Sequence, residues 1–452
     1  MTELRDASGL PLSLPDAASV EAWDRMVRAF LCHCRSTPDH LGQVLDAAPQ
    51  FAMGWAAKGL FTLLLGRHEL VPLAGQALER AEVALATAGA TPRERVYVEA
   101  LAAWLGGRPR QIAQILERLL ETTPDDVLAV KLDQAIRFVL GDRRGMLRAI
   151  EQVLPAYAAH PCAGYVLGCH AFAMEEMGDY QRAEAAGRAG IELAPDDAWG
   201  LHAVAHVYDM TAQNKVGIDW LTHQTARWSH CNNFGAHVWW HLALFHLDEG
   251  DFDRVLALYD DHVRAEHTDD YRDIANGASM LARLEIDGIP VGDRWAELAD
   301  LAAGRVEPGC VVFADLHYLL ALGAAGRDAE ADRLVARLGR DAARSDHDMH
   351  EVAAVAGHPA ALGLTAFRAG AFGLAFERLR GARGDLQCIG GSHAQRDVFS
   401  RLMIEAGIRA GRWTEAEAEL RARADRRGAM DRFTDRRLTA ISRAREAALA
   451  AE

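Results

Sequence analysis

Residues 164–197 read GYVLGCHAFAMEEMGDYQRAEAAGRAGIELAPDD. Apolar residues recur at helical spacing on both sides of Gly178-Asp179-Tyr180, and Leu193 and Pro195 close the stretch. This is a helix, a turn and a second helix in 34 residues, and Ala198 opens the next unit directly. Working outward, the same frame recurs with turns at Gly66, Gly141, Gly250-Asp251-Phe252, Gly326, Gly370 and Gly411-Arg412-Trp413. The chain therefore reads as roughly nine or ten helical hairpins. No segment alternates polar and apolar residues between turn signals, so no sheet is expected. The expected fold is all-α, a solenoid of stacked helical hairpins curled into a superhelix. Residues 1–50 read as an N-terminal helical cap, 51–430 as a single run of repeats, and 431–452 as a C-terminal capping helix. The zones 223–235, 262–275 and 340–358 are His- or Asp-rich insertions between units, where loops could add to a site.

Composition narrows the function. The 452 residues carry 49 basic and 64 acidic side chains, a net charge of −15. Such a surface repels phosphate backbones, so general nucleic-acid binding is not expected. The purest apolar run, GLFTLLLG, is far too short for a membrane span. The N-terminal MTELRDASGLPLSLPDAASV has no basic region followed by an apolar run, so no signal peptide is expected. Seven cysteines without a CxxC pair fit reduced thiols in the cytoplasm. A homo-oligomer is left open.

The Gly164–Asp197 unit resembles a tetratricopeptide repeat: paired antiparallel helices, a Gly-Asp-aromatic turn and a closing proline. The next unit carries HAVAHVYDM, residues 202–210. Its packing stripe is Leu201, Val204, Ala205 and Tyr208. A second stripe, Trp199, His202, His206 and Asp209, lies roughly 130° round the helix. The resemblance implies that this second stripe faces the concave groove where such repeats bind ligands. In the following unit His237 and Trp240 take the groove positions, with His241 and His246 nearer the interface of the helix pair. An aromatic floor with convergent His and Asp suits a small ligand or an active site.

Two further strings carry polar groups. FADLH places Asp315 and His317 on a helix between apolar residues, where an internal salt bridge is the simpler reading. In IGGSHAQRDVF, Ser392 and Gln395 form a capping box. His393, Arg396 and Asp397 are not needed for capping, and the paired glycines before the helix allow an anion at its N-terminus. HAVAHVYDM, NNFGAHVWWHLALFHLDEGDFDRVLALYD and IGGSHAQRDVF, in this order and spacing, resemble the tetratricopeptide repeat protein 38 family. The resemblance covers most of the chain from about residue 90 onward. It implies the fold, and it marks His202, His206, His237, His241, His393, Gln395, Arg396 and Asp397 as motif residues.

Two functions follow. The first is binding of a small polar or anionic molecule, or a peptide, in a groove lined by Trp199, Trp240, Asp315, His317, His393, Gln395, Arg396 and Asp397. A basic carboxylate clamp, the usual peptide device, is replaced here by His, Asp and Trp. The second is an enzyme, a hydrolase or other acid–base catalyst, using His202, His206, Asp209, His237 and His241. His202 and His206 at i, i+4 can chelate one divalent metal, and His237 and His241 repeat that spacing. No metal is required by the acid–base reading, in which a His–Asp pair is the base and Arg396 binds a substrate carboxylate. HExxH, a Ser-His-Asp or Cys-His signature, a phosphate loop and a dinucleotide fingerprint are all missing. The curl of a superhelix is expected to bring His202 and Arg396 to one cavity.

Overall fold

The repeated Gly-Asp turn does two jobs at once. In the computed structural model, which describes residues 4–451, Gly178 has φ +86° and turns the chain out of helix Ala163–Glu176. Asp179 then caps helix Tyr180–Leu193, its carboxylate accepting from the Arg182 backbone N–H. Gly141-Asp142 and Gly250-Asp251 repeat the device ahead of helices Arg143–Val153 and Phe252–Leu258. A left-handed glycine ends one helix and an acidic cap starts the next, so each hairpin is written locally.

The result is all-α, built of helical hairpins that follow one another along the chain. Among the described residues the one sheet is a two-stranded ribbon, Leu4–Arg5 against Pro11–Leu12. No helix is long and apolar enough to cross a membrane among those residues.

The chain divides into two compact units. The first holds residues 1–204, 225–235 and 346–349. Its hairpins pair Ala52–Leu64 with Val71–Thr87, Pro92–Leu105 with Pro109–Thr122, and Ala163–Glu176 with Tyr180–Leu193. Trp23, Phe51, Tyr97, Leu101, Ile112, Leu116 and Phe172 belong to its continuous apolar core. The last hairpin is packed backbone to backbone: a Cβ placed on Gly164 would lie 2.6 Å from the Gly190 carbonyl oxygen.

The second unit holds residues 205–224, 236–345 and 350–452. Its organising element is helix Tyr271–Ile286, buried along almost its whole length. It packs against Arg294–Ala303, Val312–Ala324 and His393–Arg409. A helix buried on all sides must satisfy its own polar side chains internally, and this one carries Asn276, Ser279 and Arg283.

The two glycine roles predict different costs. Gly178 has open space around it, so Gly178→Val meets only backbone strain and costs about 1 kcal/mol. Gly164→Val must push two helices apart and costs about 3 kcal/mol or more. Thermal melting of the two variants checks the order, with Gly164→Val the less stable.

Candidate histidine centre

The helix Ala198–Met210 is buried on both of its stripes. Leu201, Val204, Ala205 and Tyr208 are buried as expected, but so are His202, His206 and Asp209, at 1%, 0% and 6% exposure. The second stripe does not line an open groove. It enters the interior, and its members divide among three environments.

Trp199 and His202 belong to an aromatic cluster of the first unit. The Trp199 ring lies 4.7 Å from Phe172 and 5.2 Å from His202, and Phe172 stacks on His202 at 5.7 Å. Asp209 belongs to an ionic network of the second unit. Arg427 donates to its Oδ1 at 3.0 Å and also to its backbone carbonyl.

His206 meets the next histidine-bearing helix, Phe234–Glu249. Its ring lies 4.4 Å from that of His241. His241 Nε2 in turn is 3.3 Å from His237 Nε2. The ligand atoms of His206, His237 and His241 all lie within 4.8 Å of one another. No Asp, Glu or Cys belongs to the group among the described residues.

The neighbours of these rings decide what they can do. His237 Nδ1–H donates to Asn276 Oδ1 at 3.2 Å, which leaves the Nε2 lone pair turned toward His241. A carbonyl-type oxygen behind a ring nitrogen is the usual support of a metal-bound histidine. Metal–nitrogen bonds of about 2.0–2.1 Å put neighbouring ligands of a tetrahedral ion about 3.4 Å apart, and the His237–His241 spacing matches. Burial, with the charge of His206, pushes His237 down to about 3, and burial holds His241 well below the usual imidazole range. Both rings are therefore neutral at pH 7, the form that binds a metal. His237 keeps some accessible surface while His206 and His241 have none.

Trp240 closes the centre. It stacks on His237 at 5.3 Å and meets His241 edge-on at 4.9 Å. Behind it lies Arg283, its guanidinium carbon 5.6 Å from the Trp240 ring. Arg283 is 2% exposed and donates to the carbonyls of Ser279 and Ala394. No carboxylate pairs with it among the described residues. Burial and the nearby Arg401 push Arg283 down to about 9, so it stays cationic at neutral pH.

The remaining sequence-marked residues are placed elsewhere in the second unit. Asp315 is buried against Arg337. His317 Nδ1–H donates to the Phe313 carbonyl at 2.7 Å, and burial pushes this ring down to about 4. Ser392 and Gln395 form the expected capping box. Arg396 donates to the carbonyls of Gly390 and Gly391 and, at 2.8 Å, to Gln387 Oε1, so it holds the glycine loop together. His393, at the first turn of its helix, is half-buried. Asp397 accepts from Arg401 and Arg423, each at 2.7 Å. Arg423 also reaches Asp431 at 2.6 Å, and Phe433 lies under the guanidinium groups of Arg401, Arg423 and Arg437. His246 pairs with Asp251 at 3.2 Å. The sequence reading did not single out Asn276 or Arg283.

No protein-family model matches the sequence. Among solved structures, the chain is similar to the human IFIT1 dimer with m7Gppp-AAAA, at 14% identity and a TM-score of 0.42, over 98% of this chain and 96% of that one. It is also similar to a structure of Naa15/Naa10 bound to HypK-THB, at 10% identity and a TM-score of 0.25, over 91% of this chain and 64% of that one.

The ionic network predicts an acid response. Burial opposes the charge on Asp397 and Asp431, yet their arginines hold both carboxyls below the usual range. A depressed carboxyl stabilises the fold above its ordinary pKa of about 4 and loses that contribution as pH falls further. His317, also depressed, acts earlier: its stabilisation is complete above about pH 6.5 and fades toward its folded value. Melting temperature should therefore fall in two stages, and His317→Gln should flatten the first, between about pH 6.5 and 4, by about one proton. Arg423→Ala should cost about 3–5 kcal/mol at pH 7 by leaving Asp397 and Asp431 under-compensated, measured by denaturant unfolding.

Proposed function

We propose that this chain binds a divalent transition-metal ion through His206, His237 and His241, and that a small polar or anionic ligand binds at the open position of that ion. The observation that carries the proposal is the convergence of buried imidazoles from two helices, with Asn276 behind one of them. Imidazole-only ligation suits zinc, copper, iron or nickel. Structural zinc sites are built mostly of cysteine, whereas histidine sets with an open position are those of metal enzymes. The burial of the rings favours a small ligand over a peptide, which would need an exposed groove.

An enzyme is the second reading, favoured by the residual accessibility of His237, through which water or substrate can approach the ion. The reaction class is metal-assisted hydrolysis or related acid–base chemistry, in which the ion supplies Lewis acidity or a bound hydroxide. The three long sequence strings support membership of the tetratricopeptide repeat protein 38 family. All seven cysteines are free, which suits a reducing compartment such as the cytoplasm.

Protein purified without chelators should carry about one equivalent of such a metal, or take up one equivalent of zinc by calorimetry. The paired substitution His237→Ala with His241→Ala should abolish uptake while leaving the helical circular dichroism intact. Wild-type protein that takes up no ion, or a double variant that binds as well as wild type, overturns the proposal.

A further inference from the structure

The helix Tyr271–Ile286 and its neighbour at Trp240 hold a set of donors that the protein itself does not use. Trp240 Nε1, Asn276 Nδ2 and Arg283 Nε have no hydrogen-bond partner among the described residues. All three side chains are nine-tenths buried or more, at 0%, 1% and 2% exposure. An unmade buried hydrogen bond is costly, and three of them on neighbouring side chains invite a partner. They are also joined by contact: Asn276 bonds His237, His237 stacks on Trp240, and Trp240 lies against Arg283.

Every one of these groups is an N–H donor, so the missing partner is an acceptor. Charge says which kind. No carboxylate is among the grouped ligand atoms, and Arg283 has no carboxylate in salt-bridge contact among the described residues, although Asp397 and Asp209 act on it from further away. A buried excess of positive charge in a low dielectric calls for an anion. Counting hydrogens narrows it further. Trp240 Nε1, Asn276 Nδ2 and Arg283 Nε can each give one hydrogen, and the roughly four lone-pair sites on the two oxygens of a carboxylate take these three and leave one for the ion. Phosphate, with more oxygens and a second charge, would leave acceptors unmet. The stacked Trp240 and His237 rings, 17° from parallel, suit a flat group.

We infer that the histidine centre takes a small carboxylate, held by Trp240, Asn276 and Arg283 beside the ion. This rests on the metal reading above and names the ligand class that the same centre would accept.

The test uses full-length protein loaded with cobalt(II), whose visible spectrum reports ligand exchange, titrated with sodium acetate, sodium phosphate and sodium chloride. Acetate should shift the cobalt bands saturably, and phosphate and chloride should not do so at equal concentration. Arg283→Met should weaken acetate binding about 10-fold or more, the loss of one charge-assisted hydrogen bond. Trp240→Phe, which keeps the ring and removes one donor, should weaken it about 5-fold and covers the case in which the arginine variant misfolds. Cobalt uptake with no response to acetate overturns this inference and leaves the metal centre standing, the donors then serving water. A phosphate response equal to that of acetate overturns the carboxylate assignment. Failure to take up cobalt overturns both.

Discussion

The cost of removing polar groups from water governs this structure more than any single contact. Three imidazoles, an amide and a guanidinium are packed into helices that are otherwise largely apolar. Burial holds His237 and His241 neutral and holds even the cationic Arg283 below its usual range. A fold does not carry such groups for stability, because an apolar replacement of the same shape would serve as well. Under the proposed function, their concentration is where stability has been given up for chemistry.

That centre contrasts with the other buried polar cluster of the second unit. Asp209, Asp397 and Asp431 meet Arg401, Arg423 and Arg427, and each acid finds at least one arginine in contact. Phe433 supplies a ring beneath three guanidinium groups, so the network is dense and largely satisfied. It locks helices His393–Arg409, Trp413–Arg427 and Arg432–Ala451 together. The histidine centre has a different composition: imidazole nitrogens make up the set of grouped ligand atoms, with no carboxylate among them. One cluster is a clamp, and the other is the receptacle that we propose.

The two were hard to tell apart from the sequence, and the reason is physical. Helical hairpins were legible because their turns are local: glycine with φ > 0 and an aspartate cap sit side by side in the chain. The pairs His202/His206 and His237/His241 were legible because i, i+4 spacing fixes a shared helix face. Asp397 looked like a ligand group because its partner Arg423 lies 26 residues away, and Asp315 because Arg337 belongs to the next helix. Asn276 and Arg283 went unnoticed for the converse reason. In YRDIANGASMLARLEI they read as the polar face of an amphipathic helix, and only packing on every side shows that this helix has no solvent face. Arg396, read as an anion anchor, spends donors on its own glycine loop, and Arg283 is the arginine that lies against Trp240.

X-ray absorption at the metal edge of protein loaded with one equivalent of zinc tests this account most directly. It predicts a first shell of nitrogen at about 2.0–2.1 Å with the outer-shell scattering of several imidazoles, unchanged by thiol alkylation. A sulfur shell at about 2.3 Å, or a shell of oxygen alone from surface carboxylates, would place the ion elsewhere and contradict it.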